Sequence, residues 1–375
     1  MTSIATLFTN LREVVTCETP DEASVRTGVA VVVLDGRIAA VDDERILAAS
    51  HPTAVRIDGQ GGVLTPGFVD SHTHAIFGRY RSDEYALRSS GVPYMEIARR
   101  GGGIQASVSD LRARSEDELV ELNRPRLQTM MRLGTTTAEI KSGYGLRTID
   151  EVKQLRAVRR LAAELPLRIE TTLLAAHEFP AEFRDRRDAY VDLVCEETIP
   201  AVASERLARF CDVFMEPGVF DAAQTRRVLE AGLEHGMIPK LHADELEHSG
   251  GAELAAGLGA ASADHIGAIS EEGIRALARS DTVATLLPGT LFFLGRARYA
   301  PARALLEAGA RVALASDYNP GSSPSPNMAL VMTIACSQMG MSPIQALHAA
   351  TAGGAAALRL EDGRGTLRVG APADV

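Results

Sequence analysis

Eight short apolar runs, each followed by an amphipathic stretch, constrain this chain more than any other feature. They occupy 63–71, 135–141, 168–176, 211–216, 239–243, 262–266, 282–287 and 311–316. Runs of this length without strict alternation are what strands buried on both faces should show. The stretches between them carry helix-start signals. Ser115 with Glu118, and Thr148 with Glu151, fit a capping box, and Val152, Leu155, Val158, Leu161, Ala162 and Leu165 then form one helical stripe. Asp221 and Ser270 are further N-cap candidates, and Pro125 is expected to kink the helix it interrupts. Eight strands alternating with helices over about 250 residues is the rhythm of a (β/α)8 TIM barrel, an α/β fold. An open doubly wound sheet is the alternative. It would place a glycine-rich phosphate turn after its first strand, and none is present.

The flanks have a different texture. Residues 5–15, 29–42 and 54–59 alternate and are rich in β-branched side chains, with Asp35-Gly36 as a hairpin turn. After the eighth run comes a Pro/Gly/Ser loop at 319–326, then two helical segments at 328–339 and 343–358. The closing stretch, 365–375, reads as a strand able to return to the N-terminal segment. The expected organisation is therefore a barrel over 62–357 and a small β-sandwich-like domain built from 1–61 and 358–375.

Composition removes several function classes. A formal charge of −10 argues against nucleic acid or an anionic membrane surface as a partner. It leaves a small anionic substrate open, because such a ligand feels only local charge. The four cysteines, Cys17, Cys195, Cys211 and Cys336, form no paired spacing, so reduced thiols and a cytoplasmic location are expected. The N-terminus lacks a basic stretch followed by an apolar one, and no apolar run approaches the length of a membrane span.

Barrel enzymes gather their reactive groups where strands end. His72 and His74 close the first run in Val63-Leu-Thr-Pro-Gly-Phe-Val-Asp-Ser-His-Thr-His74, and positions i and i+2 of a strand share a face. His177 follows the third run, His242 ends the fifth, His265 the sixth and Asp317 the eighth. Five of nine histidines at such positions is more than core packing explains. His51, His235, His248 and His348 are read as surface or helix residues with no role. Alone, a His-x-His pair is only two polar residues at a strand end. Joined by a third imidazole and a carboxylate, it becomes a nitrogen and oxygen site suited to Zn2+ or Fe2+. Such an ion acidifies water and polarises a carbonyl. Asp317 can then carry the proton, with Glu245 hydrogen-bonding a substrate ring nitrogen or sharing the acid–base work.

At this point the residues carry a resemblance. Pro66-Gly-Phe-Val-Asp-Ser-His-Thr-His74, His242, His265 and Asp317 resemble the amidohydrolase superfamily of the mononuclear kind. The longer stretches are similar to the imidazolonepropionase family within it. They are His74-Ala-Ile-Phe-Gly-Arg-Tyr-Arg81, Arg100-Gly-Gly-Gly-Ile104, Glu139-Ile-Lys-Ser-Gly-Tyr-Gly-Leu146, Lys240-Leu-His-Ala-Asp-Glu245, Ser262-Ala-Asp-His265, Leu287-Pro-Gly289 and Ser316-Asp-Tyr-Asn-Pro-Gly321. The match runs from about residue 60 to the last residue. It implies opening of the ring of 4-imidazolone-5-propanoate to N-formimidoyl-L-glutamate, in histidine degradation.

The resemblance also implies roles. His72, His74, His242 and Asp317 are the implied ligands of one divalent metal ion. Arg81, Tyr144, His177, Glu245, Asn319, Gly321 and Ser322 are the implied substrate contacts, and Asp317, His265 and Glu245 the catalytic groups. A propionate calls for a cation, and arginine grips a carboxylate with two parallel hydrogen bonds. A homodimer is expected on the same ground. The alternatives are another cyclic amidase or a nucleobase deaminase of the superfamily, or a non-catalytic ligand-binding barrel. Two departures are visible. The family often has threonine at Ser322, which preserves the hydroxyl, and it usually continues past Ala373-Asp-Val375 with further strands, so the small domain is expected to be incomplete.

Overall fold

The computed structural model describes residues 4–92, 96 and 102–375. Arg100 and Gly101 of the Arg100–Ile104 stretch lie outside the described residues. Two small sheets form first. β1 (Thr6–Thr9), β4 (Val29–Leu34), β5 (Arg37–Asp43) and β6 (Val55–Asp58) make a four-stranded sheet in the order β5-β4-β1-β6. β2 (Glu13–Val15), β3 (Val25–Arg26) and β7 (Val63–Leu64) make a three-stranded one. The hairpin at Asp35-Gly36 is present, with both residues at positive φ. One helix, Glu44–Ser50, fills what the sequence left as strand-to-strand connection. Asp43 caps it by accepting from the amides of Arg45 and Ile46.

The eight expected barrel strands are all present. They are β8 (Phe68–Asp70), β9 (Thr135–Lys141), β10 (Arg168–Ala176), β11 (Phe210–Met215), β12 (Ile238–Ala243), β13 (Ser262–His265), β14 (Val283–Leu286) and β15 (Val312–Leu314). They pair in sequence order, all parallel. The first run divides: Val63–Leu64 pairs with Glu13-Val14 in the small sheet, and the barrel strand starts only after Pro66-Gly67. Proline and glycine there release the chain from one sheet before it enters the next.

Between β15 and β8 the barrel is closed at its mouth. Thr73 and Tyr318 form an isolated parallel bridge. The amide of Asp317 donates to the carbonyl of His72 at 3.0 Å, and the amide of His74 to that of Tyr318 at 2.9 Å. At the opposite end, Gly354 packs so tightly on β8 that a Cβ would overlap the Val69 carbonyl.

Most helix caps follow the sequence. Ser115 and Asp221 form capping boxes with Glu118 and Gln224, and Ser270 accepts from Gly273. The helix Glu116–Arg132 runs on through Pro125. The Thr148/Glu151 box does not form. Arg147 is the N-cap, and Glu151 instead reaches the loop before the helix. The C-terminal stretch does return to the small sheets but not as a strand. Ile38 donates to Ala371 at 2.9 Å, Gly370 to Ile38 at 2.8 Å and Leu367 to Thr16 at 2.9 Å. Leu367 and Ala371 pack there with Val14, Val31 and Ile38. Glycine at 365 and 370, both at positive φ, and Pro372 keep the segment from extending. Among the described residues, no helix is long and apolar enough to cross a membrane.

Candidate metal centre

The strand ends bring the expected residues together. His72 and His74 follow β8, His242 lies within β12, His265 ends β13 and Asp317 follows β15. The ligand nitrogens of His72, His74 and His242 all lie within 4.8 Å of one another. Asp317 Oδ1 stands 3.6 Å from His72 Nε2 and 3.5 Å from His74 Nε2. Ligands at tetrahedral angles on a ~2.1 Å sphere would be roughly 3.4 Å apart, so this spacing suits one ion.

The chemistry of the donors also fits a cation. Nε2 of His72 and both ring nitrogens of His242 are buried and have no hydrogen-bond partner, and Nε2 of His74 faces the same carboxylate, 3.5 Å from Asp317 Oδ1. Buried polar atoms are rarely left so, and unpartnered imidazole nitrogens from two strand ends beside a carboxylate mark a site built for something else to satisfy them. His72 is held in the needed tautomer. Its Nδ1 faces Asp264 Oδ2 at 2.6 Å and must carry the proton there, which leaves the Nε2 lone pair aimed inward. Burial holds His72, His74 and His265 well below the usual histidine range, so all three are neutral at pH 7. A neutral imidazole is the form that binds a metal.

The acids of the site move the other way. Burial raises Asp317 to about 6, against the hydrogen bond from the Thr290 hydroxyl, which lowers it. Burial, and then the charges of Asp317 and Glu216, raise Glu245 to about 8. Glu245 Oε2 lies 3.8 Å from His265 Nε2. Both His265 and Asp317 sit at positive φ, 74° and 50°, a backbone region non-glycine residues seldom adopt. Such strain at two strand ends is a mark of function held in place by its surroundings.

The remaining expected residues ring the mouth. Arg81 is buried, with Nε 3.2 Å from Glu84 Oε2 and Nη1 donating to Ser107 Oγ at 2.6 Å. Gly321 lies against its guanidinium. His177 stacks on His74, ring centres 5.0 Å apart, and its Nδ1 meets the Gly143 carbonyl at 3.0 Å, leaving Nε2 to face the site. Burial lowers its pKa to about 3. Tyr144 is buried 5.9 Å, ring to ring, from His74. The Asn319 side chain is engaged within its own loop. It accepts from the amides of Gly321, Ser322 and Ser323, and donates to the Asp317 carbonyl at 2.7 Å and to Ser322 Oγ at 2.9 Å.

Comparison with known proteins decides the family. The amidohydrolase family matches residues 63–375. The chain is 51% identical to an imidazolonepropionase of Symbiobacterium thermophilum, covering 94% of this chain and 84% of that one. It is 46% identical to an imidazolonepropionase of Myxococcus xanthus, over 98% and 89%. The chain belongs to the imidazolonepropionases of the amidohydrolase family. The fold is shared more widely: an adenosine deaminase from Xanthomonas campestris with bound zinc superposes with a TM-score of 0.66 at 20% identity, over 99% of this chain and 83% of that one.

As an amidohydrolase barrel it carries supporting groups whose part in the site the sequence did not reveal. Glu151 accepts the amides of Gly143, Gly145 and Leu146 at 2.7–3.0 Å and so holds the loop bearing Tyr144. Glu216 does the same for the amides of Glu245, Leu246 and Glu247 at 2.7–3.2 Å. Asp70 takes both the amide and the hydroxyl of Ser316, next to Asp317. Inside the barrel, Glu139, Lys141, Asp212 and Asp264 are fully buried. The signal for this last group was available. Charged residues inside otherwise apolar strands, such as Asp212 in Phe210-Cys-Asp-Val-Phe214, have no reason to be there for packing alone.

Proposed function

We propose that the chain opens the ring of 4-imidazolone-5-propanoate by adding water across one carbon–nitrogen bond. N-formimidoyl-L-glutamate is the product, and the reaction belongs to histidine degradation. The observation that carries this reading is the set of partnerless buried imidazole nitrogens converging beside Asp317 at the barrel mouth. His72, His74, His242 and Asp317 would hold one divalent ion, zinc or iron, since both suit these donors. When bound, such an ion polarises a carbonyl and makes water acidic enough to attack near neutral pH.

The chain's own residues supply the rest. Asp317, raised to about 6, is matched to take a proton from water and return it to the leaving nitrogen. His265, neutral, stabilises the negative charge that develops on the carbonyl oxygen. Glu245, raised to about 8, keeps its proton at pH 7 and can donate a hydrogen bond to a ring nitrogen. Arg81 binds the propionate, held ready by Glu84 and Ser107. Tyr144, His177 and the Asn319–Gly321–Ser322 loop complete the substrate contacts. Asn319 does so by shaping that loop. In this reading 62–357 is the catalytic barrel, and 1–61 with 358–375 the small β domain. The chain works as a homodimer, which sedimentation velocity tests.

The deciding experiment is steady-state hydrolysis of the imidazolone by purified protein, before chelation, after it, and after metal is restored. Purines and hydantoin serve as competing substrates. Absence of imidazolone turnover with metal fully loaded would overturn the assignment.

A further inference from the structure

Three alternate strands of the barrel place charge where a layer of apolar side chains is usual. Lys141 comes from β9, Asp212 from β11 and Asp264 from β13, and all three are fully buried. The Lys141 ammonium lies 2.7 Å from Glu139 Oε1, 2.7 Å from Asp212 Oδ2 and 3.7 Å from Asp264 Oδ2. Each of these carboxylates touches a segment that bears one of the clustered histidines. Glu139 Oε2 accepts the amide of Thr73, between His72 and His74, at 3.2 Å. Asp212 Oδ1 accepts the amide of His242 at 3.2 Å, and its Oδ2 meets His242 Nδ1 at 3.1 Å without hydrogen-bond alignment. Asp264 Oδ2 holds His72 Nδ1 at 2.6 Å.

We propose that Lys141 is a positioning residue that gathers these three carboxylates on one ammonium, so that His72, His74 and His242 are aimed as a unit. An ammonium has three donors and no preferred plane, which lets it serve carboxylates arriving from different strands. Lys240 supports the arrangement from β12. Its ammonium donates to the Ser71 carbonyl at 3.1 Å and stands 3.8 Å from Asp264 Oδ2. Neither lysine is among the residues that would touch metal or substrate.

The inference rests on the metal reading above, and the two can fail separately. The test measures zinc affinity of the metal-free protein by chelator competition, and the visible spectrum of the cobalt-loaded form. Both are run for the wild type, for Lys141→Met, and for Glu139→Gln/Lys141→Met, which removes one charge of each sign and keeps the net charge of the cluster. If Lys141 mattered only as a nearby positive charge, its removal would tighten cation binding and the double variant would bind like the wild type. A positioning role has the opposite sign. Zinc affinity falls about 10- to 100-fold in both variants, as is usual when groups behind a metal's ligands are lost, and the cobalt bands shift. Unchanged affinity and spectrum in the double variant, with only a lower melting temperature, would reduce Lys141 to a structural role and overturn the proposal. A wild type that binds no zinc would instead overturn the metal reading itself.

Discussion

Gly321→Ala tests the substrate side of the site through one steric contact. A Cβ at this position would lie 2.6 Å from Arg81 Nε and closer still to Cζ and Nη2. Gly321 is not in the left-handed region, so alanine is conformationally tolerable and the guanidinium alone is displaced. The nearest guanidinium atom would be 1.9 Å away, so ordinary contact at ~3.5 Å requires the group to retreat by roughly 1.5 Å. It has nowhere to go without loss, because Nε faces Glu84 and Nη1 donates to Ser107. A misplacement of ~1 Å in a substrate clamp costs on the order of 100-fold in kcat/KM, or ~2.7 kcal/mol. Arg81 grips the propionate rather than the reacting carbon, so the loss should fall on KM more than on kcat. The assay is steady-state hydrolysis of the imidazolone, with metal content checked by elemental analysis. Wild-type KM in the alanine variant would refute the placement of the propionate at Arg81. Loss of metal instead of substrate affinity would show that Gly321 shapes the centre and not the clamp.

The other predictions concern supporting carboxylates and the ion. Glu151→Ala leaves the amides of Gly143, Gly145 and Leu146 without their acceptor. Stability should fall by ~3 kcal/mol or more in urea titrations, and KM should rise as the Tyr144 loop loosens. Unchanged KM would separate that loop from the substrate. Glu245 concerns pH: with a folded pKa of about 8 against an ordinary 4.5, the folded metal-free chain keeps a proton that the unfolded chain has released. Its stability should therefore be full at low pH and decline as pH rises through that window, by up to ~1.4 kcal/mol per unit. Glu245→Gln should flatten the decline in denaturant midpoints measured across the same range, and equal slopes in both proteins would refute it. Chelation should abolish turnover and lower the melting temperature, both recovering when zinc or iron is returned. An ion present at 100 times its Kd stabilises by ~2.7 kcal/mol, so a melting temperature indifferent to chelator would refute tight binding in the fold.

The barrel was legible because its strands are buried on both faces and its helices announce their starts. β9 and β10 fall on the bounds their apolar runs indicate, those of the later strands differ by a residue or two, and only the first run, 63–71, misses by more, since the barrel strand is Phe68–Asp70. Failures came where a residue had two uses. Val63-Leu64 is as apolar as Phe68-Val69, yet it belongs to the small sheet, because register across Glu13-Val14 is a tertiary choice. Glu151 stands at the right spacing for a capping box, but three amides of the Tyr144 loop compete for the same carboxylate and win. The histidines could be read because they interrupt strand ends. Nothing local distinguishes Asn319 as a loop organiser from Asn319 as a ligand to substrate, since only the folded loop shows its amide already engaged.

A barrel must close its first strand on its last, and those strands are the furthest apart in sequence. Here β8 and β15 are not neighbours in a continuous ladder, and their mouth ends are stitched by the bonds from Asp317 to His72 and from His74 to Tyr318. Asp70 adds its grip on Ser316. The residues flanking the seam are therefore the same ones that would hold the ion, with His72 and His74 on one side and Asp317 on the other. A cation held by these residues would add ligand bonds to the hydrogen bonds that already join the two strands there. Such an ion would account for buried imidazoles without partners at this point in the fold. Its binding would then contribute to folding stability by coupling the first strand of the barrel to the last.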